Sequence, residues 1–456
     1  MHHLESGSKN RSRLEDIKIT LQLSLPIILA QLASIALGFI DTVMAGNLSS
    51  LDLAAVAIGR TVYMPVFIVV LGVILAVTPV VAQNLGAGKT EGLEHSFWQG
   101  IWVSLSLVIP CILLVRNMDF LLIAMDVQDE IVPVSIAYLR AVAWSLPAAF
   151  IYLVYRFYND GIGISKPHMY LALLAIPLNV FFNYLFMYDG MGVDGMGAEG
   201  AGWATTVVWY LLVFAMILLS KTLKTLRNHF SFSKIVPPDR KLIGELLYIG
   251  VPNGIGFGLE ISMFAAAALL IGSISVTALA GHQIALNIAS ITFMIPLGVS
   301  IATTSRVGYA IGEGDVDAAK QAGASGIYVS LIFMLLTGIV MILMPETLVR
   351  LYTREAETIA VAAGLLFFAA IFQLPDGLQV SAAGALRGLK DTRIPMIVNF
   401  IAYWGIGIPM GHWLGLTSGY GPEGLWTGLI LGLTFAAIAH TSRFLLMIRK
   451  SRVDTD

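Results

Sequence analysis

The sequence is poor in cysteine and in charge. Cys111 is the only cysteine among 456 residues, which excludes an intrachain disulfide and a cysteine metal site. Charged residues make up only 12% of the chain, about half of the fraction that a soluble protein carries. Hydrophobic residues make up 57%. This composition predicts a polytopic membrane protein.

Two further absences restrict the function. The sequence has no Walker A phosphate loop, so ATP hydrolysis is not expected to drive the protein. It also has no motif that pairs a nucleophile with a base, and no spacing typical of metal ligands. We therefore expect a protein that is not an enzyme and has no resident cofactor, with neither nucleic acid nor an obligate protein as a partner.

Long apolar runs are the most prominent feature of the chain. Each is long enough to cross a bilayer as a helix. The first run is too long for the apolar part of a signal peptide and is read as a retained helix. The twelve runs cover, approximately, residues 17–45, 53–83, 96–116, 132–157, 168–188, 200–220, 242–272, 277–309, 321–344, 358–385, 394–416 and 423–447.

The basic residues are distributed asymmetrically between the two sides that these runs define. Of the 27 Lys and Arg residues, 22 fall on the side of the N-terminus. Three, Arg116, Arg350 and Arg354, fall on the other side, and Arg60 and Arg140 lie within the runs. Because cytoplasmic connections are rich in Lys and Arg, both termini are predicted to be cytoplasmic.

The two halves of the chain repeat each other. Leu25-Pro26 matches Val251-Pro252 at an offset of 226 residues, and Leu146-Pro147 matches Leu374-Pro375 at an offset of 228. Since each half has six spans, the copies have the same orientation, as in transporters built from parallel repeats. The predicted fold is all-α, with two six-helix lobes around a central cavity. Its parts are a cytoplasmic tail at 1–16, an N-lobe at 17–220, a linker at 221–241, a C-lobe at 242–447 and a cytoplasmic tail at 448–456.

Three acidic residues, Asp41, Glu260 and Asp376, fall well inside the apolar runs. An intramembrane carboxylate costs at least about 2.5 kcal/mol, so each needs a partner, a cavity or an ion. Arg60 and Arg140 could each neutralise one of them. A carboxylate without a fixed cation is free to bind Na⁺, H⁺ or a cationic substrate. The alternative for Glu260 is a protonated side chain that holds two helices together.

Amide side chains form two pairs at helical spacing. Asn179 and Asn183 lie one turn apart, and Gln283 and Asn287 do the same. Amide oxygens can bind a hard cation such as Na⁺ or share hydrogen bonds with a carboxyl group. The alternative is that they join neighbouring helices by hydrogen bonds.

Aromatic residues and 18 methionines could provide an adaptable apolar lining. Such a lining suits flat cationic drugs. Packing or lipid-facing positions are the alternative for most of these rings. The candidates for a drug cavity are Tyr63, Phe67, Phe264, Phe293 and Phe372.

Four stretches resemble the multidrug and toxic compound extrusion (MATE) family, in its NorM-like branch. They are Gly-Phe-Ile-Asp-Thr-Val-Met-Ala-Gly at 38–46, Pro-Val-Val-Ala-Gln at 79–83, Ala-Gly-His-Gln-Ile-Ala-Leu-Asn at 280–287 and Ala-Ala-Gly-Ala-Leu-Arg-Gly at 382–388. The resemblance runs over nearly the whole chain. It implies twelve helices in two lobes, and efflux of cationic drugs in exchange for Na⁺ or H⁺.

The resemblance also implies roles for particular residues. The resemblance places cation coupling on Glu260 and Asp376, which are the candidates for a Na⁺ site. It also points to Asp41, with the two asparagines of the fifth segment, as a third cation-coupling acid. Some sodium-coupled relatives have a tyrosine one turn before the acid of helix ten, where this sequence has Phe372. That departure leaves Na⁺ and H⁺ both open as the coupling ion.

The expected function is therefore multidrug efflux across a bacterial inner membrane. A flippase for lipid-linked precursors is the first alternative, and it would need a basic cavity for pyrophosphate. A membrane-embedded enzyme is the second alternative.

Overall fold

The structure, a computed structural model, describes residues 12–124, 127–189, 194–227 and 235–453, and these residues form helices without any β-strand. Twelve of the described helices are long and apolar enough to span a membrane. This confirms the predicted all-α polytopic fold. The helices are α1 Arg13–Leu48, α2 Ser50–Gly86, α3 Thr90–Arg116, α4 Ile131–Gly161, α5 Lys166–Met187, α6 Gly197–Thr222, α7 Arg240–Gly272, α8 Val276–Glu313, α9 Val316–Leu343, α10 Ala356–Gly388, α11 Arg393–Thr417 and α12 Gly421–Val453.

Parts of four predicted segments lie outside the described residues. They are residues 1–11 of the N-terminal tail, 125–126 and 190–193 of the N-lobe, 228–234 of the linker and 454–456 of the C-terminal tail.

The spanning helices are interrupted at defined places. Helix α2 consists of Ser50–Ile74 and Val77–Gly86, and α4 contains a 3₁₀ turn at Ala143–Ser145. Helix α11 contains π-helical turns at Ile401–Gly407 and Trp413–Thr417. Such wide turns often occur at functional sites, because they change the direction of nearby side chains.

Local sequence determines where several helices begin and end. Ser275 Oγ accepts a hydrogen bond from the backbone N–H of Ala278 (3.0 Å) at the start of α8. Gly314 follows the last residue of α8 with a φ of 81°, a backbone conformation that favours glycine. Asp315 then caps α9 by accepting from the backbone N–H of Ala318 (2.8 Å).

The chain forms two compact units. The amino-terminal unit contains Leu29–Leu85 and Lys89–Gly254, and the carboxyl-terminal unit contains the described residues 12–28, Gly86–Gly88 and 255–453. Residues 13–28 of α1 and residues 240–254 of α7 therefore belong to a different unit from the rest of their helices.

These units differ from the predicted lobes 17–220 and 242–447 at the same two places and at Gly86–Gly88. Pro26 and Pro252 each lie two residues before the point where the helix passes from one unit to the other. A proline removes a backbone donor and weakens the helix locally, so the two parts of a long helix can pack separately. The lobes as moving bodies stay a prediction.

The carboxyl-terminal unit has a continuous apolar core to which α7, α8, α10 and α12 contribute. Met263, Leu365, Phe372 and Trp426 are among its buried side chains. The core fixes α7 and α10 against each other, and these are the helices that carry Glu260 and Asp376.

Candidate functional site

Asp41 lies buried in the amino-terminal unit, within hydrogen-bonding distance of both predicted asparagines. Its Oδ1 accepts from Asn179 Nδ2 at 3.0 Å and from Asn183 Nδ2 at 2.7 Å. Asn183 Nδ2 also lies 3.2 Å from Asn179 Oδ1. The spacing of four residues on α5 places both amides on one face, so both can donate to the same oxygen. The asparagines here act as donors that stabilise a carboxylate.

Arg60 of α2 approaches the other oxygen of Asp41. Arg60 Nη1 lies 3.9 Å from Asp41 Oδ2. The guanidinium lies directly over Gly38, where a Cβ would be 2.3 Å from Arg60 Nη1. The sequence left Arg60 and Arg140 both open as partners for an acid; Arg140 is exposed. The Asp41 carboxylate thus has one arginine partner on one oxygen and two amide donors on the other.

Glu260 and Asp376 form a second site, in the carboxyl-terminal unit. Glu260 on α7 is half-buried, and Asp376 on α10 is 4% exposed. The two carboxyl groups are close enough to interact electrostatically. In the part of the chain that the structure describes, neither is in an ion pair, and Asp376 Oδ1 has no hydrogen-bond partner. Two carboxyl groups without a basic partner provide a place for a monovalent cation or a proton.

Tyr403 and Gln379 extend this second site. Gln379 Nε2 donates to the Tyr403 hydroxyl at 2.6 Å, and that hydroxyl interacts electrostatically with both Glu260 and Asp376. Tyr403 lies in the first π-helical turn of α11. The buried oxygens Gln379 Oε1 and Asn399 Oδ1 have no hydrogen-bond partner in the structure. The site therefore contains hydroxyl and amide oxygens besides the carboxyl groups, which is the type of ligand that hard cations prefer.

The sequence analysis missed Tyr403, Gln379 and Asn399. Asn399 and Tyr403 are four residues apart, the same helical spacing that singled out Asn179 and Asn183. Among the described residues, no group of three or more His, Cys, Asp or Glu side chains could hold a metal ion. The carboxyl, hydroxyl and amide oxygens of the second site are ligands of the type that hard cations prefer, whereas transition metals favour imidazole and thiolate ligands.

The amide pair of α8 has a different environment. Gln283 and Asn287 are exposed, and Asn287 Oδ1 accepts from the Tyr352 hydroxyl at 2.9 Å. Asn287 thus has a tyrosine partner. A role of Gln283 and Asn287 in binding a cation or drug stays a prediction.

The candidate drug-cavity aromatics are mostly packed. Phe372 is part of the core described above, with its ring centroid 6.1 Å from Phe264 and 5.7 Å from Trp426. Tyr63 is buried, 3.2 Å from Ser145 Oγ, and its ring stacks on Phe67 at 5.8 Å. The remaining candidate, Phe293, is half-buried. Their role in drug binding stays a prediction.

Known proteins resemble the chain in both sequence and fold. The sequence model named MatE matches residues 26–185 and 252–413. The multidrug resistance protein PmpM of Pseudomonas aeruginosa is 41% identical over 442 residues, which cover 95% of this chain and 92% of that protein. The multidrug resistance protein NorM of Aliivibrio fischeri is 36% identical over 447 residues, 97% of either chain.

Solved structures of similar fold are transporters. A eukaryotic MATE transporter, AtDTX14, superposes with a TM-score of 0.86 at 20% identity, covering 97% of this chain and all of that one. An outward-facing multidrug resistance MATE family transporter gives a TM-score of 0.87 at 19% identity, covering 98% and 100%. Since the sequence matches extend across both halves, this protein belongs to the MatE family, that of the MATE multidrug transporters.

Proposed function

We propose that this protein is a multidrug efflux antiporter that exports cationic or amphiphilic drugs and dyes in exchange for Na⁺ or H⁺ by alternating access. The observation that supports this most directly is the Glu260–Asp376 pair. A half-buried and a buried carboxyl group that form no ion pair with the described residues are costly in a membrane protein unless an ion binds them during the transport cycle. The names of the two multidrug resistance relatives support drugs as the transported class.

The two acidic sites have different roles in this proposal. Glu260 and Asp376, with Tyr403 and Gln379 beside them, take the coupling ion. Asp41 binds the drug. Its carboxylate is paired with Arg60, and a cationic drug replaces the Arg60 guanidinium as the counter-ion of that carboxylate. The apolar Phe372, at the position where some sodium-coupled relatives have tyrosine, supplies no oxygen to the ion.

The transport cycle follows from this division. A drug enters from the cytoplasm or the inner leaflet and binds while the carboxylates are ionised. Na⁺ or H⁺ arriving from outside neutralises the Glu260–Asp376 site, which favours the outward-facing state that releases the drug. The predicted bodies 17–220 and 242–447 rock against each other between the two states. One charge that moves across 100 mV contributes about 2.3 kcal/mol to the cycle.

The location belongs to the same proposal. We place the protein in a bacterial inner membrane with both termini cytoplasmic. The excess of Lys and Arg on the side of the N-terminus supports this orientation.

Reconstitution in liposomes tests the proposal. Purified protein is combined with a fluorescent cationic dye, and a Na⁺ gradient or a pH gradient is imposed in separate experiments. We expect one of the gradients to drive dye movement in the wild type and neither to drive it in Glu260→Gln. Failure of both gradients would contradict antiport. Movement of a labelled lipid-linked pyrophosphate instead would favour the flippase, although Arg60, one of its two candidate basic residues, is engaged by Asp41.

A further inference from the structure

The start of α1 is held by a buried polar cluster inside the carboxyl-terminal unit. The cluster consists of Asp16 and Thr20 on α1, Arg306 on α8 and Ser325 on α9, and all four side chains are buried. We name it the α1 clasp. It lies outside both acidic sites, and the proposed transport cycle does not use it.

The centre of the clasp is a bidentate ion pair between Arg306 and Asp16. Arg306 Nη1 donates to Asp16 Oδ2 at 3.2 Å and to the Asp16 backbone oxygen at 3.3 Å, while Nη2 donates to Asp16 Oδ1. Arg306 Nη1 also donates to Thr20 Oγ1, and Ser325 Oγ donates to Asp16 Oδ2. A guanidinium that binds both oxygens of a carboxylate fixes orientation as well as distance. The first two turns of α1 thus have one defined position on α8 and α9.

A close backbone contact holds the other end of the same stretch. Gly298 of α8 faces Ile28, and a Cβ at Gly298 would lie 2.6 Å from Ile28 Cγ1 and 3.0 Å from its backbone nitrogen. Ile28 is also the last residue of α1 in this unit, two residues after Pro26. Residues 12–28 are therefore attached at both ends, and the helix is weakened next to the point where it leaves the unit.

The internal repeat places a comparable contact, made by an uncharged side chain, at the matching position of the amino-terminal unit. Gln99 of α3, which matches Ser325 at the offset of 226, holds the segment before α7. Its Nε2 donates to the Pro237 oxygen at 3.0 Å, and its Oε1 accepts from the Asp239 backbone N–H at 2.9 Å. Both repeats use the same position to hold the start of their first helix, and the α1 clasp adds an ion pair to that contact.

We propose that Asp16, Arg306 and Ser325 are positioning residues for transport, which hold residues 12–28 of α1 on α8 and α9 in one state of the cycle and release them in the other. This rests on the proposed alternating access. A partly separated ion pair in a buried site leaves an uncompensated charge and is therefore unfavourable. The attachment is then either fully formed or fully separated. An element with two such discrete positions is what a switching transition requires.

Hydrogen–deuterium exchange of the full-length protein in lipid nanodiscs tests the clasp directly. In Asp16→Asn, we expect peptides within residues 12–28 to exchange at least about tenfold faster, because local opening governs the rate. Peptides within 29–48 are expected to keep the wild-type rate. Asp317→Asn is the matched control: Asp317 pairs with Arg452 in the same unit, but its side chain is 71% exposed.

Transport of the same variants separates positioning from folding. We expect Asp16→Asn to slow dye efflux while its equilibrium affinity for the dye stays that of the wild type. Exchanging the charges in Asp16→Arg with Arg306→Asp is expected to restore the slow exchange of residues 12–28. If Asp16→Asn does not fold, Ser325→Ala keeps the ion pair and should still accelerate exchange in residues 12–28 by about threefold.

Two results would overturn the clasp. One is a folded Asp16→Asn, or Ser325→Ala, with wild-type exchange in residues 12–28. The other is acceleration spread evenly over the chain, which would show general destabilisation. The two proposals fail separately, because a wild type that moves no dye would contradict antiport while the exchange rates would still report on the clasp.

Discussion

Arg60 and Asp41 should have opposite effects on drug binding, although they contact each other. If a cationic drug competes with Arg60 for the Asp41 carboxylate, Asp41→Asn removes the anion that attracts the drug. Arg60→Gln removes the competitor and leaves the anion available. We therefore expect a cationic dye to bind more weakly to Asp41→Asn and more tightly to Arg60→Gln.

The geometry sets the size of the effect. At 3.9 Å and an effective dielectric constant of about 20, two unit charges attract each other by about 4 kcal/mol. The Arg60 side chain is 28% exposed and that of Asp41 11%, so water screens part of this attraction. A net coupling of about 1–3 kcal/mol remains, which corresponds to a change of roughly 5–150-fold in affinity.

Equilibrium binding of a fluorescent cationic dye to purified protein in nanodiscs measures these shifts. A neutral amphiphile of similar size controls for changes in the apolar surface, and its affinity should not change. Arg140→Gln is the control for charge, because Arg140 is an exposed arginine of the same unit. A double-mutant cycle then gives the coupling free energy between Arg60 and Asp41.

Two outcomes would refute the competition between Arg60 and the drug. One is a shift of dye affinity in the same direction for Asp41→Asn and Arg60→Gln. The other is a shift in Arg140→Gln as large as that in Arg60→Gln, since of these two arginines it is Arg60 that lies 3.9 Å from the acid.

Three further predictions concern the carboxyl-terminal unit. Glu260→Gln keeps the shape of the side chain without its charge, so it should abolish drug export but not membrane insertion; normal drug resistance of cells expressing it would contradict this. Asp376→Asn should remove any Na⁺ dependence of dye flux, whereas Asp41→Asn should retain it; sodium dependence that survives in Asp376→Asn would disprove the division between the sites. Phe372→Ala should lower the free energy of unfolding by about 3–5 kcal/mol, against about 0.5 kcal/mol for the exposed Phe181→Ala. Equal thermal shifts of these two variants in one detergent would show that Phe372 is not a core residue.

Several features of this protein could be read directly from the sequence. The twelve helices follow from the length of the apolar runs, because a bilayer requires each spanning backbone to satisfy its own hydrogen bonds. The three intramembrane acids stand out because charge is costly there. The pairing of Asn179 and Asn183 follows from helical spacing, and the structure confirms that both can donate to Asp41.

The choice of partners was decided only by tertiary structure. Helical spacing relates residues four positions apart, but it cannot say which of two arginines approaches Asp41; in the folded chain Arg60 lies 3.9 Å from the carboxylate and Arg140 is exposed. Tyr403 and Gln379 join the acidic pair because α10 and α11 bring them together, and the π-helical turn that contains Tyr403 has no recognisable sequence signal.

The assignment of helix segments to units shows the same limit. The sequence repeat divides the chain at its linker. In the structure, residues 12–28 belong to the carboxyl-terminal unit and residues 240–254 belong to the amino-terminal unit. Asp16 and Arg306 are 290 residues apart and are unremarkable as separate positions in the sequence. Their interaction depends on how α1 packs against α8, and packing over such a separation is a property of the folded chain.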